Sequence, residues 1–433
     1  MAEVRPRSVL GLNSESYALG NGLRVRLVPL PHLQSATASF FVRVGSRYEN
    51  RRTNGLSHFL EHMLYRGTET HPAAHELNLA IEQLGGTLDA ATHVDFTSYD
   101  LTLPPENVER GVEMLAEVIR RPLLEDLGTE KQIIREEILE DLNEDGEQID
   151  IDNVSRSLLY PDHPLGFSIP GPLENLDRFD RRDLHGHHAA YYTARNAVLC
   201  VAGAFDTSDV RRAIERCFED MPSGEPTNGS RPGRRGDERF AYVHDAGSQT
   251  DVRVSFHTPG VKSLELPALR LLARVLDDGL STRVHQTICE ARGLAYEAFA
   301  DNDSLEDCGV FDFGASVEHR KIPRLIETIL ELVDGLRASP PTDEEIDKAK
   351  RRSLFDLRTV RDRPEDAAHF VGTSALFELP ERLETIAEQI ERVAPDDIRR
   401  VTQRHFDVDD AHITCVGVLE GKVLSSVRRL ARA

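Results

Sequence analysis

The order of strand-like and helix-like segments in the first half of the chain occurs again in the second half. In both halves a strand rich in β-branched and aromatic residues precedes amphipathic helices, an extended region, further helices and a closing apolar strand. The strand-like segments are residues 23–29, 36–44, 87–103 and 197–204 in the first half and residues 251–257, 294–317 and 411–418 in the second. A repeated element order with low residue identity is typical of an internal duplication.

The two repeats are separated by residues 222–237, which are rich in proline, glycine, serine and arginine. Such a composition cannot pack into a core and is typical of a linker. A chain of 433 residues is also too long for one ordinary core. We therefore predict an N-terminal domain at residues 1–222, a linker at residues 223–238 and a C-terminal domain at residues 239–433.

Residues 55–64 predict a helix with two different faces. The apolar residues recur at the spacing of one buried stripe, which consists of Leu56, Phe59, Leu60, Met63 and Leu64. His58, Glu61 and His62 share the opposite face, where two imidazoles one helical turn apart can reach one metal ion. In this H-x-x-E-H pattern a zinc ion acidifies a bound water and the glutamate takes its proton. The chemistry that the pattern predicts is peptide hydrolysis.

A solvated helix face is the alternative explanation for these three polar residues. Catalytic zinc normally takes three protein ligands, so a further ligand must come from elsewhere in the chain. The segment at residues 129–138 offers Glu130 and Glu137, which are seven residues apart on a helix and point the same way. Because Ile133 and Ile134 flank that line, we expect both carboxylates to face the interior, where a cation must compensate them.

We assign these acidic residues different roles. Zinc would compensate Glu137 as the third ligand, Glu130 would hold a ligand imidazole in its correct tautomer, and Glu136 is the backup ligand. An ordinary acidic helix in an acidic protein is the alternative. The second repeat carries no metal-binding residues at the corresponding positions, which are approximately Leu269, Leu272 and Ala273.

The bulk composition argues against several partners. The net charge is -22 and the isoelectric point about 5.2, so counterion release cannot drive binding to nucleic acid, and an anionic membrane is equally disfavoured. No apolar run approaches the roughly 18 residues that span a bilayer. Residues 1–7 are followed by no apolar segment, and the five cysteines are scattered without a C-x-x-C pair. We expect a cytoplasmic protein with reduced thiols, no nucleic-acid partner and no membrane partner.

The motif residues and their flanking blocks resemble the pitrilysin and insulysin superfamily of zinc peptidases. Within it they are most similar to the branch of mitochondrial processing peptidase β subunits and their bacterial relatives. The matching blocks are residues 45–49, 55–63 and 67–68, the positions Gly85, Gly86, Asp89, Ala90 and Thr92, the position Glu130 with residues 133–138, and residues 292–296. These blocks occur in the expected order over nearly the whole chain.

The resemblance implies an α/β (α+β) fold of two homologous domains, each a mainly antiparallel sheet flanked by helices, which together enclose a chamber. It implies a zinc metalloendopeptidase of the inverzincin type that hydrolyses extended oligopeptides or unfolded segments. His58, His62 and Glu137 would bind Zn2+ and Glu61 would activate the water. Two chains would form the working unit.

The resemblance also implies substrate-binding residues, at two of which this chain departs from the family. The strand around Asp89 would bind a peptide by strand addition, which agrees with our interpretation of residues 87–103 as one strand with a mixed-polarity face. Asp89 stands where the family usually has asparagine, so the usual main-chain contact is in doubt. In the family an arginine works with Tyr296 to hold the substrate, and here its position is Cys289. A thiol cannot donate charge-assisted hydrogen bonds to a carbonyl.

The loss of that arginine bears on both the assembly and the function. We predict either a heterodimer with a related subunit that supplies an arginine-tyrosine pair, or a homodimer with a weakened substrate clamp. The alternatives to an enzyme are a non-catalytic scaffold of the same fold and a peptide-binding protein that keeps its metal only for structure. Three further histidines, which we expect to be solvated or packed helix residues because no carboxylate or cysteine stands at ligand spacing, are His185, His187 and His188.

Overall fold

The computed structural model describes residues 11–233 and 237–431. Residues 1–7, which bear on the expected absence of a secretory signal, and residues 234–236 of the predicted linker lie outside the described residues. The described part of the chain divides into two units, each built on its own sheet. In neither stretch does a helix combine the length and the apolar character needed to cross a bilayer.

The strands fall into two sheets. Those of the first sheet are β1 (Glu15–Ala18), β2 (Arg24–Pro29), β3 (Ala36–Val42), β4 (Thr87–Thr92), β5 (Thr97–Leu103) and β6 (Ala197–Gly203). Those of the second sheet are β7 (Phe240–His244), β8 (Thr250–Thr258), β9 (Ala298–Ser304), β10 (Gly309–Val317) and β11 (His412–Gly417).

The α-helices flank these sheets. Those before the predicted linker are α1 (Leu56–Leu64), α2 (Ala74–Gln83), α3 (Val108–Arg120), α4 (Leu127–Glu140), α5 (Ile151–Leu159), α6 (Leu173–Arg178), α7 (Arg181–Tyr191) and α8 (Thr207–Phe218). Those after it are α9 (Leu266–Leu276), α10 (Ile322–Ala338), α11 (Asp343–Thr359), α12 (Pro364–Leu376), α13 (Leu383–Arg392), α14 (Pro395–His405) and α15 (Gly421–Leu430). A π-helical segment spans His285–Glu290.

The two sheets share one topology, as the repeated element order predicts. The first has the strand order β1-β2-β6-β3-β5-β4 and the second has β7-β11-β8-β10-β9. In each described sheet one pair is parallel, β2 with β6 and β7 with β11, and the remaining pairs are antiparallel. Apart from β1, every strand of the first sheet therefore has a counterpart at the same place in the second. The predicted fold class, two α/β units with mainly antiparallel sheets flanked by helices, is confirmed.

The units are not continuous stretches of the chain. The first contains the described residues through Ile138 together with Ser168–Ser230 and Asp356–Ile386, and the second contains the others. Within the first unit α12 packs against β3 and β6, and within the second α5 packs against β8 and β11. These units follow packing, whereas the predicted limits at 222 and 239 follow the sequence repeat, and those limits stay a prediction.

The prediction of a single strand at residues 87–103 is wrong, because the segment folds into the hairpin of β4 and β5. The N–H of His93 donates to the carbonyl of Phe96 at 2.8 Å and closes the turn. Neighbouring backbone holds that turn, since the N–H of Arg47 donates to the carbonyl of Val94 at 2.9 Å. The hydroxyl of Tyr48 donates to the carbonyl of Asp95 at 3.0 Å. As a result β4 becomes the edge strand of the first sheet.

Candidate metal centre

Helix α1 carries the predicted metal-binding face and is fixed in the first unit by its apolar stripe. Phe59, Leu60 and Met63 are fully buried. The helix begins after Gly55, whose φ of 97° is left-handed and whose missing Cβ leaves room for the carbonyl of Pro170. A side chain at this position would meet that oxygen at 2.2 Å, so the start of the helix requires glycine.

A buried carboxylate caps the same helix. Glu49 is 4% exposed, and its two oxygens accept the N–H of Gly55 at 2.9 Å and the N–H of Ser57 at 2.7 Å. The side-chain amide of Asn54 donates to it at 3.1 Å. Burial raises the pKa of Glu49, although these hydrogen bonds oppose the shift. Glu49 thus satisfies N–H groups that a helix start leaves unpaired, and its charge is favourable near the positive end of the helix dipole.

The imidazoles of α1 lie together, as their spacing predicts. The ring centroids of His58 and His62 are 4.5 Å apart. Ligand-capable atoms of these two residues and Glu61 all lie within 4.8 Å of one another. The Oε2 atom of Glu61 accepts a hydrogen bond from the hydroxyl of Thr92 at 3.1 Å, so this carboxylate is held from β4.

Helix α4 brings a third ligand candidate to the two imidazoles. The Oε1 atom of Glu137 lies 3.3 Å from Nε2 of His58, and its Oε2 atom lies 3.7 Å from Nε2 of His62. Glu130 lies behind His62, with its Oε1 atom 2.8 Å from Nδ1 of that ring. Glu136 is exposed, with no described contact to either imidazole, so the structure does not place the backup ligand at the centre.

The expected burial of this acidic face is only partly correct. Glu130 is 4% exposed, but the side chain of Glu137 is 44% exposed and Ile133 is 48% exposed. The residues that α4 buries in addition to Glu130 are Ile134 and Ile138. The buried stripe therefore runs to one side of Glu137, and that carboxylate lies at the rim of the centre, where solvent can reach it.

The donor set and its spacing fit a zinc ion. Two imidazole nitrogens and a carboxylate oxygen are ligands of catalytic zinc, with a fourth position left for water. Bonds of about 2.0–2.1 Å at tetrahedral angles separate neighbouring ligand atoms by roughly 3.3 Å. The separations of 3.3 Å and 3.7 Å between the glutamate oxygens and the two Nε2 atoms are close to that value before any adjustment.

The charges at the centre favour the binding of a cation. Burial lowers the pKa of His62, but the hydrogen bond from Glu130 and the charges of Glu61, Glu130 and Glu137 raise it overall. Burial raises the pKa of Glu137, but its contact with His58 lowers it overall. Carboxylates gathered around two imidazoles thus produce a site that attracts a cation.

Three residues of the centre were not predicted from the sequence. Glu49 caps α1, Thr92 holds Glu61, and Arg66 lies with its Nε atom 3.3 Å from Oε2 of Glu130. None of them stands at a local capping or ligand spacing. Glu49 and Thr92 fall inside blocks of the family resemblance, which was their one indication in the sequence. No sequence pattern indicated a role for Arg66.

The predicted substrate residues lie in different units. Asp89 is exposed on the edge strand β4 of the first unit, opposite Asp100 of β5. Tyr296 belongs to the second unit and is 89% exposed. It lines a cavity of about 860 Å³ together with Cys289, Asp277 and other residues of that unit. Burial raises the pKa of the Cys289 thiol, which keeps it protonated and neutral.

Two of the three histidines of α7 are packed against neighbouring residues, and His185 is exposed. His187 is buried, with its Nε2 atom 3.0 Å from the hydroxyl of Ser57, and burial lowers its pKa to about 3. Nε2 of His188 lies 2.7 Å from the carbonyl of Ile119. Within the part of the chain that the structure describes, these two and His185 belong to no cluster of ligand atoms close enough to hold one metal ion. His187 instead supports the start of α1.

Sequence comparison finds a family for both parts of the chain. A model described as insulinase, peptidase family M16, matches residues 24–172, and a model described as the peptidase M16 inactive domain matches residues 178–353. An uncharacterized zinc protease of Rickettsia felis is 30% identical over 392 residues, which cover 90% of this chain and 94% of that protein. The uncharacterized zinc protease YmxG of Bacillus subtilis is 27% identical over 343 residues, 79% of this chain and 83% of its own length.

Solved structures resemble the whole fold. A protease from Helicobacter pylori superposes with a TM-score of 0.85 at 23% identity, over 94% of this chain and 100% of that one. A Pseudomonas fluorescens structure described as a peptidase M16 inactive domain superposes with a TM-score of 0.87 at 19% identity, over 95% and 100% of the two chains. At such identities the likeness concerns the fold.

Proposed function

The chain belongs to the insulinase family, peptidase family M16, and from this premise we propose that it is a zinc-dependent endopeptidase acting on extended oligopeptides or unfolded segments. One observation carries the proposal: a carboxylate of α4 lies 3.3 Å and 3.7 Å from the Nε2 atoms of the two α1 histidines. The Glu61 carboxylate stands beside them. The naming of relatives as zinc proteases supports zinc as the metal.

Each residue of the centre has a separate task in this proposal. A bound zinc ion would lower the pKa of its water to near 7 and polarise the scissile carbonyl. His58, His62 and Glu137 would hold the ion, and Glu130 would keep the proton of His62 on Nδ1 so that Nε2 presents its lone pair. Glu61 would take the proton of the attacking water and pass it to the leaving amine.

The edge strand β4 is the proposed place for the peptide. An edge strand has unpaired N–H and C=O groups, to which an extended peptide can add as a further strand. Thr92 of this strand contacts Glu61, so β4 ends beside the metal centre. Asp89 on the same strand can only accept hydrogen bonds when ionised, so it would favour N–H groups and basic side chains over peptide carbonyls.

Cys289 bears on both the assembly of the chain and the alternative function. A neutral thiol at the place of the family's arginine leaves Tyr296 without its usual partner, which supports a dimer in which a related subunit supplies an arginine-tyrosine pair. A homodimer with a weaker clamp is the other form. The same residue is the best argument for the alternative function, a non-catalytic or peptide-binding subunit of this fold. The dimer and the cytoplasmic location stay predictions.

Metal analysis and peptide cleavage test the proposal together. The purified chain should contain about one zinc per chain and cleave an internally quenched peptide. Glu61→Gln should keep the zinc and lose the cleavage, because it removes the proton acceptor and no ligand. The non-catalytic alternative would be favoured if the zinc-loaded wild type cleaved no peptide, either alone or when mixed with a related subunit carrying the arginine.

A further inference from the structure

One side chain of β4, that of Thr92, forms a hydrogen bond with the carboxylate of Glu61. Its Oε2 atom accepts the hydroxyl proton of Thr92 at 3.1 Å. No other described residue forms a hydrogen bond with the Glu61 side chain. A glutamate has three side-chain torsions, so this hydroxyl selects one orientation among several and leaves Oε1 available to a water or a substrate.

The hydroxyl itself is held in place by the hairpin. Thr92 is the last residue of β4 and pairs with Thr97 of β5. The turn beyond it is closed by the hydrogen bond of His93 to Phe96 at 2.8 Å. The hydroxyl of Thr97 donates to the carbonyl of Val44 at 3.0 Å, which ties the hairpin to the segment after β3.

We propose that Thr92 is a positioning residue that fixes Glu61 in the orientation needed for proton transfer and couples it to the edge strand. The proposal rests on the proposed function, since Glu61 is there the proton acceptor. An acceptor held within a few tenths of an ångström of its working position avoids the reorganisation that a mobile side chain would need. A peptide added to β4 would further order the strand that carries this hydroxyl.

The two oxygens of the Glu61 carboxylate have different roles in this proposal. One oxygen of Glu61 is occupied by the Thr92 hydroxyl, and the other remains available for the water proton. Thr92 gives up no proton in the reaction and contacts none of the three proposed metal ligands in the described hydrogen bonds. Its loss should therefore lower kcat and leave zinc binding and KM nearly unchanged.

Two substitutions in the full-length chain separate positioning from packing. Thr92→Val keeps the shape and the β-branch but removes the hydroxyl, whereas Thr92→Ser keeps the hydroxyl. We expect Thr92→Val to lower kcat about tenfold with KM within about twofold and full zinc content, and Thr92→Ser to stay within about threefold of wild type. In a Glu61→Gln background, Thr92→Val should cause no further loss of whatever residual cleavage remains.

Crystal structures of the two variants provide a readout that does not depend on activity. The carboxylate of Glu61 should remain on the introduced hydroxyl of Thr92→Ser and should leave its present rotamer, or occupy several, in Thr92→Val. An unchanged Glu61 in Thr92→Val, or an equal loss of kcat in both variants, would overturn the proposal. A zinc-loaded wild type that is inactive both alone and with a related subunit carrying the arginine would overturn the proposed function instead, and the two crystal structures would still decide the positioning role.

Discussion

The carboxylate of Glu130 lies 2.8 Å from Nδ1 of His62 and is almost completely buried behind that ring. Its second oxygen lies 3.3 Å from Nε of Arg66. Because the carboxylate is held between a guanidinium and an imidazole, it restrains the orientation of the ring and favours a proton on Nδ1. In the proposed metal centre, Glu130 would therefore orient His62 toward the ion without being a ligand itself.

The first prediction concerns this indirect role. Glu130→Gln should lower zinc affinity by about tenfold to a hundredfold, because the ring loses a charged acceptor while all three ligands remain. Competition with a chromophoric chelator measures the affinity. Glu140→Gln, at the exposed end of the same helix, is the matched control and should bind zinc like wild type. Equal affinities of Glu130→Gln and wild type would contradict the assignment.

The second prediction distinguishes the two neighbouring acids of α4. Glu137→Gln should lower zinc affinity by more than about a hundredfold, beyond the cost of losing an orienting group, because it removes the charged ligand. Glu136→Gln should leave affinity unchanged, since Glu137, and not Glu136, makes the described contacts with the two imidazoles. The opposite pattern would show that Glu136 is the ligand and that α4 turns when metal binds.

The candidate ligands were predictable because they depend on local geometry. The i, i+4 spacing of His58 and His62 fixes them on one face of α1 whatever surrounds the helix. Which acid of α4 meets them depends on how two separate helices pack, and here the sequence pattern was wrong about Ile133, which is 48% exposed. Glu49 reaches the N–H groups of Gly55 and Ser57 across an irregular loop, and Arg66 reaches Glu130 on a separate helix, so no spacing rule could find them.

The fold was likewise predictable where local sequence pattern determines an element and not predictable where tertiary packing does. Periodicity predicted most strands of both repeats, several of their helices and the common order, but it missed β1, β7, α5 and α8. It did not predict the turn at residues 93–96, which contains no glycine or proline and is held by hydrogen bonds from Arg47 and Tyr48. Nor did it place α12 in the first unit, because the apolar face of that helix does not indicate which sheet it covers.

The third prediction concerns the cap of α1. Glu49→Ala should lower the free energy of unfolding by about 2 kcal/mol or more, because the N–H groups of Gly55 and Ser57 lose a buried charged acceptor. Glu49→Gln, which keeps one carbonyl acceptor, should lose less. Urea unfolding of metal-free protein measures both. Glu82→Gln, on the exposed side of α2, should stay within about 0.5 kcal/mol of wild type. A stable Glu49→Ala variant would show that the cap is dispensable.

The fourth prediction is a pH dependence of stability caused by His187. Burial lowers its pKa from 6.5 to about 3, so between these values the unfolded chain binds a proton that the folded chain does not. Stability should therefore fall as the pH falls below about 6.5, by at most about 1.4 kcal/mol per pH unit from this residue.

His187→Gln should remove this contribution to the slope, although it also loses the contact with Ser57 and so starts less stable at pH 7. Urea unfolding of metal-free protein at pH 7, 6 and 5 measures the slope. His185→Gln, exposed on the same helix, should keep the slope of wild type. Parallel curves for His187→Gln and wild type would contradict the prediction.

The fifth prediction uses Cys289 to test the substrate clamp. If the missing arginine limits the lone chain, Cys289→Arg should raise kcat/KM about tenfold, since a guanidinium beside Tyr296 can donate charge-assisted hydrogen bonds to a peptide carbonyl. Cys289→Ser changes size little and adds no charge, so it should match wild type. The cavity already contains Asp277, Glu290 and Glu297, whose carboxylates would keep the new guanidinium within the cavity. A related subunit that carries the arginine should then activate wild type more than Cys289→Arg. Activation of both to the same extent, with no gain from Cys289→Arg alone, would mean that the partner acts through another surface.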